Sequence, residues 1–407
     1  MNWRRLVFAW LLRIALVGIA LAAVGFCIWQ FALTYYGRGW GHEPASAPWV
    51  LGHRARELLT NATSTGKQKT LVDGAVHVRT HGQLSGPDFV NRSHTAPSGS
   101  IVGQPWAWWR NRVTASAAGA TRGPSFDGEY VSRLLRQIRA LPGDYRAYIL
   151  ARSRPQGGAE NASAPVVTNR YVAWLAERAP QQLMPVASIL PGRANAGQNL
   201  AHWVEKGVQR VRWLPVRQHI DLTSAAARTF YKKLAQAEVT LKLPVGAVRD
   251  RHGTYRWISP AAIKPMLAAG VDVELTLADA RGPKGQELMP ALFHLLATSD
   301  HAKQITISLA NVLAGKRPQQ VLKPLLAHPQ YYKHLRYASG YPQPALAGRI
   351  DVEALADDGF IDRSLVPPLK AIYDVNPLAF ALVVMRRVHL PHTRLGFPES
   401  VFVRKKS

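Results

Sequence analysis

The sequence predicts an α/β chain in which one (β/α)8 barrel follows a single N-terminal transmembrane helix. Three observations predict it. A long apolar run occupies residues 14–36. Beyond it, eight short apolar segments alternate with helical stretches, the pattern of a parallel sheet wrapped by helices. Hydrophobic residues make up 47% and charged residues 19% of the 407, enough for a large core.

Residues 1–36 are expected to be a membrane anchor. The run IALVGIALAAVGFCIWQFALTYY is close to the roughly 20 helical residues that cross a bilayer core. Arg13 can snorkel to one interface, and Trp29, Tyr35 and Tyr36 suit the other. A cleaved signal would have a shorter apolar core, and Ala45-Ser46-Ala47 lies far beyond this one. Phe26 before Cys27 does not suit a lipoprotein signal. Arg4, Arg5 and Arg13 favour an N-terminus in the cytoplasm, although Arg38, Arg54 and Arg56 beyond the span weaken the bias. The expected location is therefore the inner (plasma) membrane, single-pass, with the main domain periplasmic.

Residues 37–69, rich in Gly, Pro, Ala and Ser, read as a stalk with a short helix near 53–59. Residues 70–407 read as the barrel. Strands are expected at 70–78, 145–151, 183–189, 210–214, 239–243, 272–277, 304–309 and 335–338. Helices are expected at 128–140, 169–177, 195–205, 225–235, 260–268, 288–298 and 318–327, with Asp127 capping the first. Residues 354–387 supply closing helices.

The only cysteine is Cys27, inside the apolar run. That excludes an intrachain disulfide, cysteine-ligated zinc or iron–sulfur sites and a catalytic thiol in the folded domain. HExxH, the Walker loop, GxGxxG and GxSxG are absent from the sequence. Lys and Arg total 51 against 25 Asp and Glu, a formal net charge of +26. Such an excess points to an anionic neighbour, or reflects an Arg-rich genome.

Several phrases in series resemble the amidohydrolase superfamily. The resemblance is to its metal-dependent TIM-barrel hydrolases and decarboxylases related to aminocarboxymuconate-semialdehyde decarboxylase, and to membrane-anchored bacterial members. The carrying phrases are VDGAVHV at 72–78, EYVSRLLRQIRALP at 129–142, GVQRVRWLPVRQHID at 207–221, FYKKLAQAEVTLKLPVG at 230–246, LRYASGYPQP at 335–344, AIYDVNPLAFALVVMRR at 371–387 and FPESVF at 397–402.

The resemblance implies metal ligands at the C-terminal mouth of the barrel, where a metal lowers the pKa of bound water and polarises substrate. This chain departs from that pattern. Of the first-strand His-x-His pair, Ala75 and His77 occupy the positions, so only one histidine remains. Pro244 stands at the fifth-strand histidine, Leu277 at the sixth-strand histidine and Gly340 at the eighth-strand aspartate. Arg212 represents a basic residue near the end of strand four and cannot ligate. His77 alone does not make a zinc site. The implied state is a degenerate barrel, a pseudoenzyme without metal or cofactor. It would act as a binding or assembly subunit of a membrane-associated complex. The alternative is an active hydrolase or lyase with a rebuilt site around His77 and the strand-end arginines.

His77, Arg79, Arg212, Arg249 and Arg281 sit at or after strand ends and are the ligand-binding candidates. Converging, they would hold a carboxylate or phosphate through forked hydrogen bonds. Alternatively they pair with Asp73, Asp221, Asp250, Glu274 and Asp279. His77, His81 and His94 are a weaker metal candidate. QPWAWWRNR at 104–112 reads as a covering helix with core or membrane-facing tryptophans, or as a stacking surface. The expected partners are the membrane, a protein and an anionic small molecule or glycan, and not nucleic acid.

Overall fold

A computed structural model describes residues 3–37, 50–65, 68–79, 109, 113–120, 126–153, 167–250, 254–278, 285–315 and 317–405. Helix α1 (Trp3–Gly37) contains an apolar stretch, Val7–Ala32, that is long enough to cross a membrane. At 1.5 Å per residue that stretch is about 39 Å long, against about 30 Å of hydrocarbon. Its Leu, Ile, Val and Phe side chains are exposed, so the rest of the protein provides no core for them.

Helix α2 (His53–Thr63) is longer than the expected stalk helix and does not stand free. Ala55, Leu58, Leu59 and Ala62, at helical spacing, are buried. They face α11 (Val366–Val375) and α12 (Pro377–Arg387), which close the fold.

Eight parallel strands form the barrel: β1 (Lys69–Val76), β2 (Tyr145–Leu150), β3 (Leu183–Val186), β4 (Arg210–Arg212), β5 (Thr240–Arg249), β7 (Val273–Leu277), β8 (Ile305–Ser308) and β9 (Leu335–Arg336). Each matches an apolar run expected as a strand. Two ladders, β1-β2-β3 and β4-β5-β7-β8-β9, carry most of the pairing. At one seam Ala187 N donates to Arg210 O (3.0 Å) and Arg212 N to Ala187 O (2.7 Å). At the other, Gly74 N donates to Tyr337 O (2.9 Å), Gly340 N to Ala75 O (3.0 Å) and His77 N to Tyr341 O (2.8 Å). These bonds join the two ladders at both edges. Lower in the second seam, β10 (Val403–Lys405) pairs antiparallel with β1.

Between strands lie α3 (Phe126–Arg139), α4 (Asn169–Arg178), α5 (Ala196–Glu205), α6 (Ala225–Gln236), α7 (Lys264–Ala268), α8 (Leu288–Thr298) and α9 (Lys323–Leu326); α10 (Val352–Asp357) precedes the closing pair. Capping matches chemistry: Thr168 accepts from Tyr171 N, Ser224 from Ala227 N and Asn376 from Ala379 N. Asp127 is not the cap of α3; it lies inside the first turn, buried. Two features were not expected. Strand β5 runs on through Pro244 to Arg249, and its end folds back as a hairpin with β6 (Tyr255–Ile258).

Buried Asp73 of β1 fastens the second seam. Its Oδ1 accepts from Ala75 N (3.0 Å) and Ser339 N (2.8 Å), and its Oδ2 from Tyr145 Oη (2.8 Å). Burial raises its pKa despite these bonds.

Candidate functional site

Strand alternation decides which side chains enter the barrel. Glu274 of β7 points inward, because a Cβ on Gly74 of β1 would lie 3.3 Å from its Oε1. Thr276 therefore also points inward and Leu277 outward. Leu277 is packed with the outer core that includes Val245 and Leu275. The sixth-strand position expected at Leu277 thus does not face the mouth. Lys242 bonds to Glu274 across the β5–β7 ladder, so Pro244 shares its inward face.

Ala75 also faces inward, after a register irregularity between Asp73 and Val76. It packs with Tyr148, Leu150, Val186, Ala310 and Ala338, all buried. This apolar cluster lies inside the barrel beneath the strand ends. Gly340 has φ +66, and a Cβ there would stand 3.0 Å from Asn311 Oδ1. The eighth-strand position is thus occupied by a neighbour, and a carboxylate side chain would have to displace it.

His77 is the remaining histidine of the pair. Its carbonyl accepts from Tyr130 Oη at 2.6 Å. Burial, then Arg212, Lys242, Arg79 and Arg152, hold its pKa well below the usual imidazole value. It is neutral at neutral pH. Arg212 is half-buried, and burial with Arg152 and Arg217 beside it pushes its pKa down to about 9. No carboxylate pairs with Arg212 among the described residues. The mouth therefore brings together His77, Arg79 and Arg212, and adds Arg152, which the sequence reading missed. Arg249 does not join them; it is exposed on the hairpin, with its guanidinium 5.7 Å from the Tyr255 ring. Arg281, His81, His94 and Asp279 lie outside the described residues.

The rim is tied down by hydrogen bonds. Ser153 N donates to Ser188 Oγ (3.0 Å), and Gln218 Nε2 donates to the same oxygen (2.9 Å). Asn169 Oδ1 accepts from Ser188 N (2.7 Å). These bonds join the ends of β2, β3 and β4. Arg317 Nη2 donates to the carbonyls of Leu277 and Ala278, both at 2.7 Å, closing the end of β7.

Of the acids expected to pair with the ligand-binding candidates, Glu274 lies deep in the barrel and its partners are two other cations. Glu274 bonds to Lys242 and to Arg210 (2.5 Å), and Arg210 lies 3.7 Å over the Tyr148 ring. Burial alone raises the Glu274 carboxyl, but Lys242 and Arg210 outweigh it and hold it below its ordinary value. Asp250 meets Arg256 at 3.8 Å, and Asp221 accepts from Thr223. Trp109 is the one described tryptophan of the QPWAWWRNR phrase; its ring meets Trp29 of α1 edge-on at 6.0 Å.

A divalent cation does not fit this donor set. Among the described residues, no three His, Cys, Asp or Glu side chains come together to hold one. The positions that would supply donors are Ala75, Pro244 and Gly340, and a neutral His77 is ringed by cations.

No protein-family model matches the chain, and no curated protein does. Solved structures share its course. An uncharacterised TIM-barrel protein from Bordetella bronchiseptica has 14% identity and a TM-score of 0.47 over 77% of this chain and 99% of that one. An amidohydrolase II structure has 13% identity and a TM-score of 0.43, with the same coverage. A 5-carboxyvanillate decarboxylase from Sphingomonas paucimobilis has 11% identity and a TM-score of 0.43, over 77% of this chain and 96% of that one. At these identities and TM-scores the likeness says nothing of activity.

Proposed function

We propose that this chain is a membrane-anchored amidohydrolase-like barrel that has lost metal-dependent catalysis and works as a binding or assembly subunit at the inner membrane. The observation that supports it is the mouth. Of the positions expected to ligate a metal, Ala75, Pro244 and Gly340 carry no donor side chain, and the surviving histidine is surrounded by positive charge. An exposed apolar helix provides the tether, and a tether raises effective concentration near a membrane partner. The net charge of +26 suits a partner of opposite sign, whose encounter would weaken with salt beyond a screening length of about 8 Å. We place the barrel on the periplasmic side, from the short basic flank before the span.

The test is purification of the full chain in mild detergent, followed by identification of stoichiometric partners and a salt titration. The reading expects a defined complex that loosens with salt. A lone chain that turns over an amide, ester or carboxylate substrate would reject it.

One observation favours a second reading. Arg212 is a half-buried cation without a carboxylate partner among the described residues, beside a neutral imidazole. An anionic substrate or ligand there would supply the missing charge, and His77 would be its proton acceptor. In that case Arg212→Gln and His77→Ala would each abolish turnover.

A further inference from the structure

The opposite end of the barrel holds a feature unrelated to the mouth. Where β1 to β4 begin, a groove of about 970 Å³ opens between the strand starts and the loops entering them. Val72, Tyr148 and Met184 line it with inward-facing apolar surface. Three arginines from three strands enter it: Arg146 of β2, Arg210 of β4 and Arg404 of β10.

Register brings two of these together. Thr70 pairs with Arg404 and Val72 with Arg146, so both arginines flank β1 on the face that Thr70 and Val72 share. Strands are about 4.8 Å apart, within reach of two long guanidinium side chains. Arg336 of β9 adds a further cation: Arg336 and Arg210 both act on Arg404, and with burial, the largest cause, push its pKa down to about 10.

The negative charge present does not balance them. Glu274 lies beneath and is already engaged by Lys242 and Arg210. Asp144 and Glu177 sit on the exposed rim, alongside Arg139, Lys206 and Lys405. Arg146 Nε is buried without a hydrogen-bond partner, and its Nη2 reaches only Pro180 O, at 3.4 Å. Arg404 Nη1 donates to the carbonyls of Ser400 and Val403, which are neutral acceptors. No ion pair to a carboxylate is made by Arg146, Arg336 or Arg404 among the described residues.

We propose that this groove at the N-terminal face binds a phosphate-bearing anion, with the phosphate between Arg146 and Arg404 and an apolar portion against Val72, Tyr148 and Met184. A tetrahedral phosphate offers enough acceptor oxygens for several guanidiniums from different strands, where a planar carboxylate offers two. The ligand is either a free phosphate ester or the headgroup of an anionic phospholipid. The site is independent of the mouth and of the subunit role proposed above.

The test titrates the full chain in neutral detergent with two probes, inorganic pyrophosphate and a short-chain phosphatidylglycerol, by calorimetry. Saturable binding of at least one probe is expected. Arg146→Gln and Arg404→Gln should each weaken it by about tenfold or more, as loss of a charge-assisted hydrogen bond does. Arg249→Gln, exposed on the hairpin, should leave it unchanged. Arg146→Gln is the cleaner variant, because its single long bond to Pro180 matters little for folding; a thermal melt checks both. Binding of pyrophosphate identifies a free phosphate ligand, and binding of phosphatidylglycerol alone identifies a headgroup. No binding of either probe, or binding that both variants leave intact, overturns the proposal.

Discussion

Replacing Glu274 by Gln should destabilise the barrel by about 3–5 kcal/mol, the usual cost of breaking a buried ion pair from one side. Glu274 is 1% exposed and Lys242 2% exposed. The substitution keeps the side-chain shape but leaves the Lys242 ammonium in the barrel without a counter-charge. Arg210 loses its carboxylate too, yet keeps the Tyr148 ring at 3.7 Å, so most of the cost falls on Lys242. The relief follows: adding Lys242→Met to Glu274→Gln removes the stranded charge and should recover more than half of the loss. Urea unfolding of the full chain in neutral detergent, read by tryptophan fluorescence, measures both. A pH series adds a second readout. Because the folded pKa of Glu274 is depressed, its stabilisation is complete above the ordinary carboxyl range. It is lost as pH falls through the folded value, and Glu274→Gln should lack that acid limb. A loss under about 1 kcal/mol, or a double variant no more stable than the single one, would refute this reasoning.

Three further outcomes follow from the same geometry. Gly340→Ala should cost about 1–2 kcal/mol in a thermal melt, because φ is +66 and the added Cβ meets Asn311; an unchanged melt would mean that this position has room for a side chain. Asp73→Ala should cost about 3–5 kcal/mol by denaturant titration, since two backbone N–H groups and the Tyr145 hydroxyl lose their acceptor, whereas Asp73→Asn keeps the Oδ1 bonds and should cost less than half of that. A C-terminal alkaline phosphatase fusion should be active if the barrel is periplasmic; an inactive fusion paired with a fluorescent cytoplasmic reporter at the same point would reverse the topology.

The barrel strands were legible because each buried strand is a short apolar run bounded by polar or glycine-rich turns. The continuation of β5 was not: Pro244 and Gly246 look like breaks, and only the antiparallel partner β6 satisfies the strand beyond them. Helix α2 was underestimated because its sequence is polar overall, although Ala55, Leu58, Leu59 and Ala62 carry the spacing of a buried face. Leu277 faces away from the mouth because side chains alternate between the two faces of a strand, and the sequence motif alone does not show which face a position takes. Ala75 and Pro244 lie on the inward face of their strands, and the neighbouring motif residues are what mark them in the sequence.

The charges inside the barrel were harder to read. Lys242 and Glu274 each interrupt an apolar strand, and that local signal was available. Their pairing depends on the β5–β7 register, which no local pattern contains. Arg152 was overlooked for a similar reason: it follows an ordinary strand, and only barrel closure brings it to Arg212. The basal groove needs β10, from the far C-terminus, laid beside β1.

The most direct test of the account is the metal content of the purified full chain, measured by mass spectrometry after exchange into metal-free buffer and again after incubation with zinc and manganese. The account predicts no stoichiometric divalent metal in either sample, and no change with His77→Ala. One tightly held zinc or manganese per chain, lost on His77→Ala, would contradict it.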